Sequence, residues 1–419
     1  MVEVLDRFSS SSTRSERERG GKRLHLPRVL HLINGEVFSG AERVQQLLGK
    51  RLAEFGYDPI FACLKPGRFA ECCELRPEQI WSEPMRHRHD LGVVTRLAQR
   101  SRDAQVRMLH AHTPRTAMIA SLITRRTGIP WVYHVHSPAV RDSTRVIQNW
   151  INDCVERLSL LNVHRMITVS KSLRHEMLRR GWPRKRVVSI ANGVAEQEPI
   201  FAIDRIERTE WNLGMVALIR PRKGIEILLE SFREVCRRKP NVRLDVIGGF
   251  ESPEYESKVR SLTQNIGIDH AVRWRGFTRD VTSALRELDV LVLPSLFGEG
   301  MPMVVLEALA VGLPVVATRV EGTPEVVRDG REGYLAEPAD VTSLAATIEK
   351  TVEDRHAWCR MSQQAWARHR EAFSDTRMAQ RVAGIYDSAI PRVEARVAEA
   401  PRTKVAPHAK RLGRFLVEA

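Results

Sequence analysis

From Pro27 onward this chain of 419 residues alternates short apolar runs rich in β-branched residues with amphipathic stretches. RVLHLIN (28–34) reads as a buried strand, and PIFACL (59–64) as the next one. Between them AERVQQLLGKRLAEFG (41–56) reads as a helix, with Val44, Leu47, Leu48, Leu52 and Phe55 on one face and Gly56 as its stop. That is a βαβ unit. The alternation continues through RMLHAH (107–112), the helical RTAMIASLITRRTG (115–128), PWVYHVH (130–136), RMITVS (165–170), the basic helix KSLRHEMLRRG (171–181) and RVVSIANGV (186–194). Strands joined in this way lie parallel, covered by helices on both faces.

The segment AEQEPIFAIDRIERTEWNLG (195–214) breaks the rhythm with charge and a proline, so the connection between two domains is expected there. The pattern restarts with MVALI (215–219), the helix GIEILLESFREVCRR (224–238), VRLDVIG (242–248), AVRWRG (271–276), VLVLP (290–294), VVAT (315–318) and a helix at 339–354. The length suits two domains of roughly 150 to 200 residues each. The expected layout is α/β: a doubly wound domain over 27–200, a second over 201–373, and a last helix at 374–390 that packs back on the first. A polar tail at 1–26 lacks the apolar core of a signal peptide. The stretch 391–419 turns to Pro, Ala and Arg without periodicity and reads as a second tail. Two such domains in series place a ligand at the carboxyl ends of their strands, in the cleft between them.

Composition narrows the class. No apolar run approaches the roughly 20 residues that cross a bilayer, and a cytoplasmic protein is expected. The six cysteines form no CxxC pair, and the adjacent Cys72 and Cys73 have no metal-ligand spacing. The net charge of +15 is uneven: residues 1–200 hold 33 Lys and Arg against 20 Asp and Glu, the remainder 33 against 31. A basic half suits an anionic membrane, nucleic acid or acidic substrates, but an arginine-rich proteome gives the same excess without a partner. With no recognition motif and 6% aromatic residues, nucleic acid is not expected.

The candidate chemistry centres on SLFGEGMPMVVLEALAVGLPVVAT (295–318). A glycine-flexed loop follows the strand VLVLP, and a helix is expected from Pro302 to Val311, proline suiting its first position and Gly312 with Pro314 its stop. Its N-terminus offers free N–H groups at Met303 and Val304 and a positive dipole end, which together favour an anion such as phosphate. Glu299 lies in the loop. Glu307 lies inside an otherwise apolar helix, where a carboxylate is costly unless it accepts hydrogen bonds, and the two hydroxyls of a ribose would supply them. The residues alone also allow Glu307 to pair with an arginine such as Arg319, and Glu299 to be a solvated charge.

The stretch resembles the E-x7-E signature of the family-4 retaining glycosyltransferases, which have the two-lobed GT-B fold. The resemblance covers roughly 28–390 and includes VEGTPEVVRDGREGYL (320–335), PRKG (221–224), SGAE (39–42) and Asn192–Val194. It implies a nucleotide sugar on the second domain, UDP- or GDP-linked, as co-substrate with no metal and no other cofactor. Glu307 would bind the ribose, Lys223 and the backbone of Met303 and Val304 the diphosphate, and Glu299 the transferred sugar. A lysine with a helix N-terminus stabilises a departing diphosphate without a metal, and no DxD motif stands at a strand end. One position departs from the pattern: the phosphate-gripping arginine falls at Leu218, and Arg220 or Arg222 is left to supply the charge. Strand alternation puts Arg220 on the same side as Leu218, so Arg220 is preferred.

In the first domain Gly40 lets the backbone approach a ligand, though SGAE alone also suits a tight turn. His112 and His136 both end strands on the cleft side; His136 matches the family histidine that reaches the transferred sugar, and His134 is taken as structural. The basic helix 171–181 is either a solvated face or a dock for anionic membrane. The implied activity is hexosyl transfer from a nucleotide-diphosphate sugar to a hydroxyl of a glycan or lipid-linked acceptor, with retention. The alternative is a catalytically impaired nucleotide-sugar-binding protein on the same fold.

Overall fold

The computed structural model describes residues 26–87, 90–137, 155–200 and 205–390. The tails expected at 1–26 and 391–419 lie outside these residues apart from Leu26. Seven strands build the first sheet: β1 (Arg28–Ile33), β2 (Asp58–Cys63), β3 (Ile80–Ser82), β4 (Val106–Ala111), β5 (Trp131–Val135), β6 (Arg165–Thr168) and β7 (Val187–Ser189). Their order is β3-β2-β1-β4-β5-β6-β7. Six build the second: β8 (Trp211–Val216), β9 (Val242–Ile247), β10 (Val272–Gly276), β11 (Val290–Leu293), β12 (Val315–Thr318) and β13 (Gly333–Ala336), in the order β10-β9-β8-β11-β12-β13. The neighbours in both sheets pair in parallel. Strands β5, β11 and β12 are buried along their whole length, as continuous apolar runs require of a sheet covered on both faces.

Each order reverses at its first strand: β1 lies between β2 and β4, and β8 between β9 and β11. Connections leave the sheet on opposite faces at that point, and a crevice opens beyond the carboxyl ends of the strands. The segments after β1, β4, β8 and β11 border it, and they carry Gly40, His112, Arg220 with Lys223, and Glu299.

The second sheet begins earlier than the sequence pattern suggests. Strand β8 starts at Trp211, inside the stretch expected to connect the domains, and stops at Val216 rather than Ile219. Two features draw 211–214 into the sheet. Trp211 is buried beneath the Arg355 guanidinium, 3.4 Å above its ring, and a Cβ on Gly214 would fall 2.2 Å from Leu288, so only glycine lets β8 lie this close. Charge at the sequence level hid a strand whose partners lie far along the chain. Residues 201–204 of the expected connection lie outside the described residues.

The C-terminal helices straddle the two lobes. Helix Arg355–Ala372 is fixed to the second by Trp358 Nε1, which donates to the Asp289 carbonyl at 2.6 Å. Helix Asp375–Asp387 lies against the first. There Arg51 Nε donates to Asp375 at 2.8 Å, Tyr57 Oη donates to Asp387 at 2.6 Å, and Tyr386 Oη meets His110 Nδ1 at 2.6 Å. Between the helices the chain is stitched to the NGV segment: Val194 N donates to Phe373 O at 2.9 Å, and Asp375 N returns the bond to Val194 O at 3.0 Å. Among the described residues no helix is long and apolar enough to cross a membrane.

The stitch explains why NGV carries a glycine. A Cβ on Gly193 would sit 2.3 Å from Ser374 O and 2.8 Å from Asp375 N, backbone that cannot yield without breaking the stitch. We expect Gly193→Ala to lower the unfolding free energy by about 2 kcal/mol, as overpacking at a rigid site does. A urea midpoint equal to that of the parent protein would show that this crossing is not rigid.

Candidate functional site

The helix after β11 runs Met303–Ala310, one residue shorter at each end than the sequence pattern suggests. Pro302 takes φ −72° and ψ 112°, which is extended, so it is the residue before the helix and not the first residue within it. Its side chain has no oxygen to cap the first turn, and the N–H groups of Met303 and Val304 have no intrahelical acceptor. Gly312 ends the segment at φ +74°. The bare end faces the start of helix Gly40–Arg51 in the other lobe: a Cβ on Gly40 would lie 3.3 Å from Met303 Cγ. Glu42 closes that start by accepting from Ser39 N at 3.1 Å and from Ser39 Oγ at 2.7 Å.

Glu307 is buried, and its partner is not Arg319, which binds Asp329 and Glu337 on the surface. Arg43 reaches it from the Gly40–Arg51 helix across the gap, with Nη2 2.6 Å from Oε1. The angle at this contact leaves Glu307 Oε1 without a well-directed hydrogen bond. Burial pushes the Glu307 carboxyl up to about 7, against the pull of Arg43. Sequence reasoning did not find Arg43. Its signal was available, because it directly follows Glu42 in the first turn of the helix at the reversal point of the first sheet.

Glu299 is buried as well, not solvated. It is paired with Lys223 and accepts from Ser295 Oγ at 2.6 Å. Its backbone is pinned on both sides: Glu299 N donates to Glu321 at 3.1 Å, and Gly322 N donates to Glu299 O at 3.0 Å. Burial lowers the pKa of Lys223, with Glu299 opposing and the nearby Arg222 and Arg220 adding to the depression. The Lys223 charge is balanced by the Glu299 carboxylate.

The two candidate arginines differ in what they hold. Arg222 braces the loop, with Nη1 3.3 Å from the carbonyls of both Phe297 and Gly298 and 3.9 Å from Glu299. Arg220 Nε is buried with no hydrogen-bond partner. Leu218 is 46% exposed and Ile219 fully buried, so the alternation that aligns Leu218 with Arg220 is present.

His136 follows β5 and meets the same loop from the first lobe. A Cβ on Gly300 would fall 2.3 Å from its carbonyl oxygen. Burial lowers its pKa to about 4, so the ring is neutral. The structure thus brings the two lobes together at two places along one gap: Gly40 and Arg43 of the first with Met303, Val304 and Glu307 of the second, and His136 of the first with the loop of Glu299 and Gly300, where Lys223 and Arg220 also lie. Glu325 closes the gap elsewhere. Its carboxylate accepts from Lys171 N and Ser172 N, both at 2.7 Å, at the start of helix Lys171–Arg179. That helix is therefore not simply a solvated face.

Comparison with known proteins places both halves of the chain. Residues 38–198 match the model "Glycosyltransferase Family 4", and residues 196–368 the model "Glycosyl transferases group 1". A D-inositol 3-phosphate glycosyltransferase of Corynebacterium efficiens is 30% identical over 182 residues, 42% of this chain and 42% of that protein. The chain thus spans under half the length of this relative. The UDP-Gal:alpha-D-GlcNAc-diphosphoundecaprenol alpha-1,3-galactosyltransferase of Escherichia coli is 25% identical over 59% of this chain and 67% of its own. The crystal structure of Anabaena HepE in complex with UDP and glucose superposes with a TM-score of 0.75, covering 87% of this chain and 100% of HepE at 20% identity. At that identity the likeness is one of fold.

The raised Glu307 pKa has a consequence for stability. The unfolded carboxyl loses its proton near 4.5 and the folded one near 7, so between these values the native state binds more protons. Stability relative to Glu307→Gln should fall by roughly 3 kcal/mol as pH rises from 4.5 to 7 and be flat above. Urea unfolding of both proteins across this range measures it, and a difference independent of pH would refute the burial of an ionisable carboxyl here.

Proposed function

The chain belongs to the GT-B glycosyltransferases of group 1 and family 4, and from that premise we propose that it is a metal-independent, retaining hexosyltransferase using a nucleotide-diphosphate sugar. The observation that carries this reading is the bare N-terminus of helix Met303–Ala310 at the carboxyl edge of the second sheet, reached by the β11 loop that carries Glu299 and beside the segment after β8 that carries Lys223 and the partnerless Arg220 Nε. Backbone N–H groups and two cations suit a pyrophosphate. Arg220 takes the place of the family arginine that Leu218 cannot replace.

Glu307 grips the ribose hydroxyls once Arg43 releases it, and Lys223 transfers its charge from Glu299 to the phosphates. Glu299 is then free to accept from hydroxyls of the sugar. The bond between the sugar carbon and the phosphate oxygen breaks as the acceptor oxygen approaches on the same face, and the acceptor proton passes to the departing phosphate. Charge that develops on the diphosphate meets fixed donors in a site closed to water, which lowers the barrier without a metal. The Escherichia coli relative, whose name gives UDP-Gal as donor and a diphosphoundecaprenol-linked acceptor, supports a uridine donor and a lipid-linked glycan acceptor.

A lipid-linked acceptor would bring the enzyme to the inner face of the cytoplasmic membrane. Leu158 and Leu161 are 62% and 59% exposed on the first lobe. Arg186 Nη1 donates to Leu161 O at 2.9 Å, which joins this apolar edge to the Arg184–Arg186 cluster. Apolar side chains beside basic ones suit an anionic lipid surface.

Two experiments test the reading. Arg220→Ala should raise the donor KM or lower kcat at least tenfold, about 1.4 kcal/mol of lost stabilisation, and unchanged kinetics would remove Arg220 from the site. In the parent protein a nucleotide sugar at a hundred times its Kd should add about 2.7 kcal/mol to stability in a thermal-shift screen. Donor binding with no turnover on any acceptor would favour the impaired binding protein. Separately, Leu158→Glu with Leu161→Glu should abolish co-sedimentation with anionic liposomes, and failure of the parent protein to bind them at low salt would exclude membrane docking.

A further inference from the structure

Four buried histidines accompany His136 beneath the cleft. His31 lies on β1, His110 on β4, His112 just after it, and His134 on β5, each at most 4% exposed. Their rings stack with those of His136, with neighbouring centroids such as His110–His112 and His134–His136 at 4.3 and 4.4 Å. Burial depresses all five pKa values, to about 3 at His31 and about 4 at His136 and well below the ordinary value in the others. Every ring is neutral, with one N–H and one lone pair.

Three of the rings form a chain. His31 Nδ1 lies 3.0 Å from His112 Nε2, and His112 Nδ1 lies 3.1 Å from His136 Nε2. In such a chain the direction of one hydrogen bond dictates the next. If all three rings carry the proton on Nε2, the chain ends in an N–H on His31 that is buried and has no acceptor. If all three carry it on Nδ1, His31 Nε2 is a bare lone pair and the terminal N–H belongs to His136, the ring that borders the Gly300 loop. Neither terminal nitrogen has a hydrogen-bond partner among the described residues, so each arrangement leaves one N–H and one lone pair unpaired. His31 is fully buried, whereas His136 is only part-buried and borders the Gly300 loop, so the second arrangement places the unpaired donor at the cleft and leaves only an under-used acceptor in the core. A free neutral imidazole prefers the opposite tautomer.

We propose that His31 and His112 are positioning residues that lock His136 in the Nδ1–H tautomer, so that its Nδ1–H is kept as a hydrogen-bond donor for an oxygen of the transferred sugar. The consequence for catalysis rests on the donor-site reading above; the tautomer does not. The same stack contains two groups of three histidines, His31, His110, His112 and His112, His134, His136, with ring nitrogens within 4.8 Å of one another. Both ring nitrogens of His112, the residue common to the two groups, are already engaged in N···N hydrogen bonds within the stack.

Long-range proton–nitrogen correlation spectra of the full chain labelled with 15N-histidine test this, with His136→Phe to assign the signal. The expected result is a protonated Nδ1 and bare Nε2 at His136 from pH 6 to 8. In His112→Phe the ring should revert to Nε2–H, and kcat should fall roughly tenfold, the worth of about one hydrogen bond, with donor KM little changed. His112→Asn, whose amide N–H stands where Nδ1–H stood, should restore both. Nε2–H at His136 in the parent protein overturns the proposal, as does an unchanged tautomer in His112→Phe, or zinc retained at one equivalent with loss of the ring N–H signals. If His112→Phe does not fold, the parent spectrum decides. The expected tautomer in a protein that binds no nucleotide sugar would instead overturn the reading of the cleft.

Discussion

The ion pair between Glu307 and Arg43, which joins the two lobes across their gap, is the interaction around which this molecule is organised. Glu307 sits on a helix that is otherwise apolar, where an ionised carboxylate would cost several kcal/mol without a counter-charge. The counter-charge comes from Arg43, on the first helix of the opposite lobe. Neither lobe alone can satisfy this carboxylate. Its pKa near neutrality records how incomplete the compensation is.

The second acid illustrates the same economy with different partners. Glu299 is held by Lys223 and Ser295, and the loop that carries it is pinned through its backbone by Glu321 and Gly322 and braced by Arg222. A loop fixed at so many points presents its groups with little reorganisation, which is what electrostatic preorganisation requires. Arg222 is committed to this bracing, while the buried Nε of Arg220 is uncommitted. Two arginines separated by one residue thus have different roles, because a turn at Pro221–Lys223 sends their side chains to different surroundings.

Closure of the lobes is distributed. Glu325 accepts from the start of a first-lobe helix, Asn192 N meets Met301 Sδ at 3.2 Å, and the last helix leaves the second lobe to pack on the first through Arg51, Tyr57 and His110. The crossing at Val194 and Ser374 keeps both connections side by side. Glycine at 40, 193 and 300 permits the approach, since a Cβ at each would meet atoms from the opposite side.

Much of this was legible in the chain itself. Alternating apolar runs and amphipathic stretches specify strands and helices through their own periodicities, and turn residues mark the ends, so most strands of both sheets and the helix that carries Glu307 follow from local chemistry, while the short edge strands β3 and β13 do not. The order of Glu299, Glu307, Lys223 and Gly40 along the chain also carries the resemblance to a known site, because these residues sit in short segments at strand ends. Periodicity says nothing, however, about which side chains meet across a distance of hundreds of residues. That Arg43 and not Arg319 faces Glu307, that Arg222 is occupied while Arg220 Nε is not, that β8 begins at a tryptophan within a charged stretch, and that five histidines stack in one column were decided by tertiary packing. Each depends on burial and on partners that only the folded chain brings together.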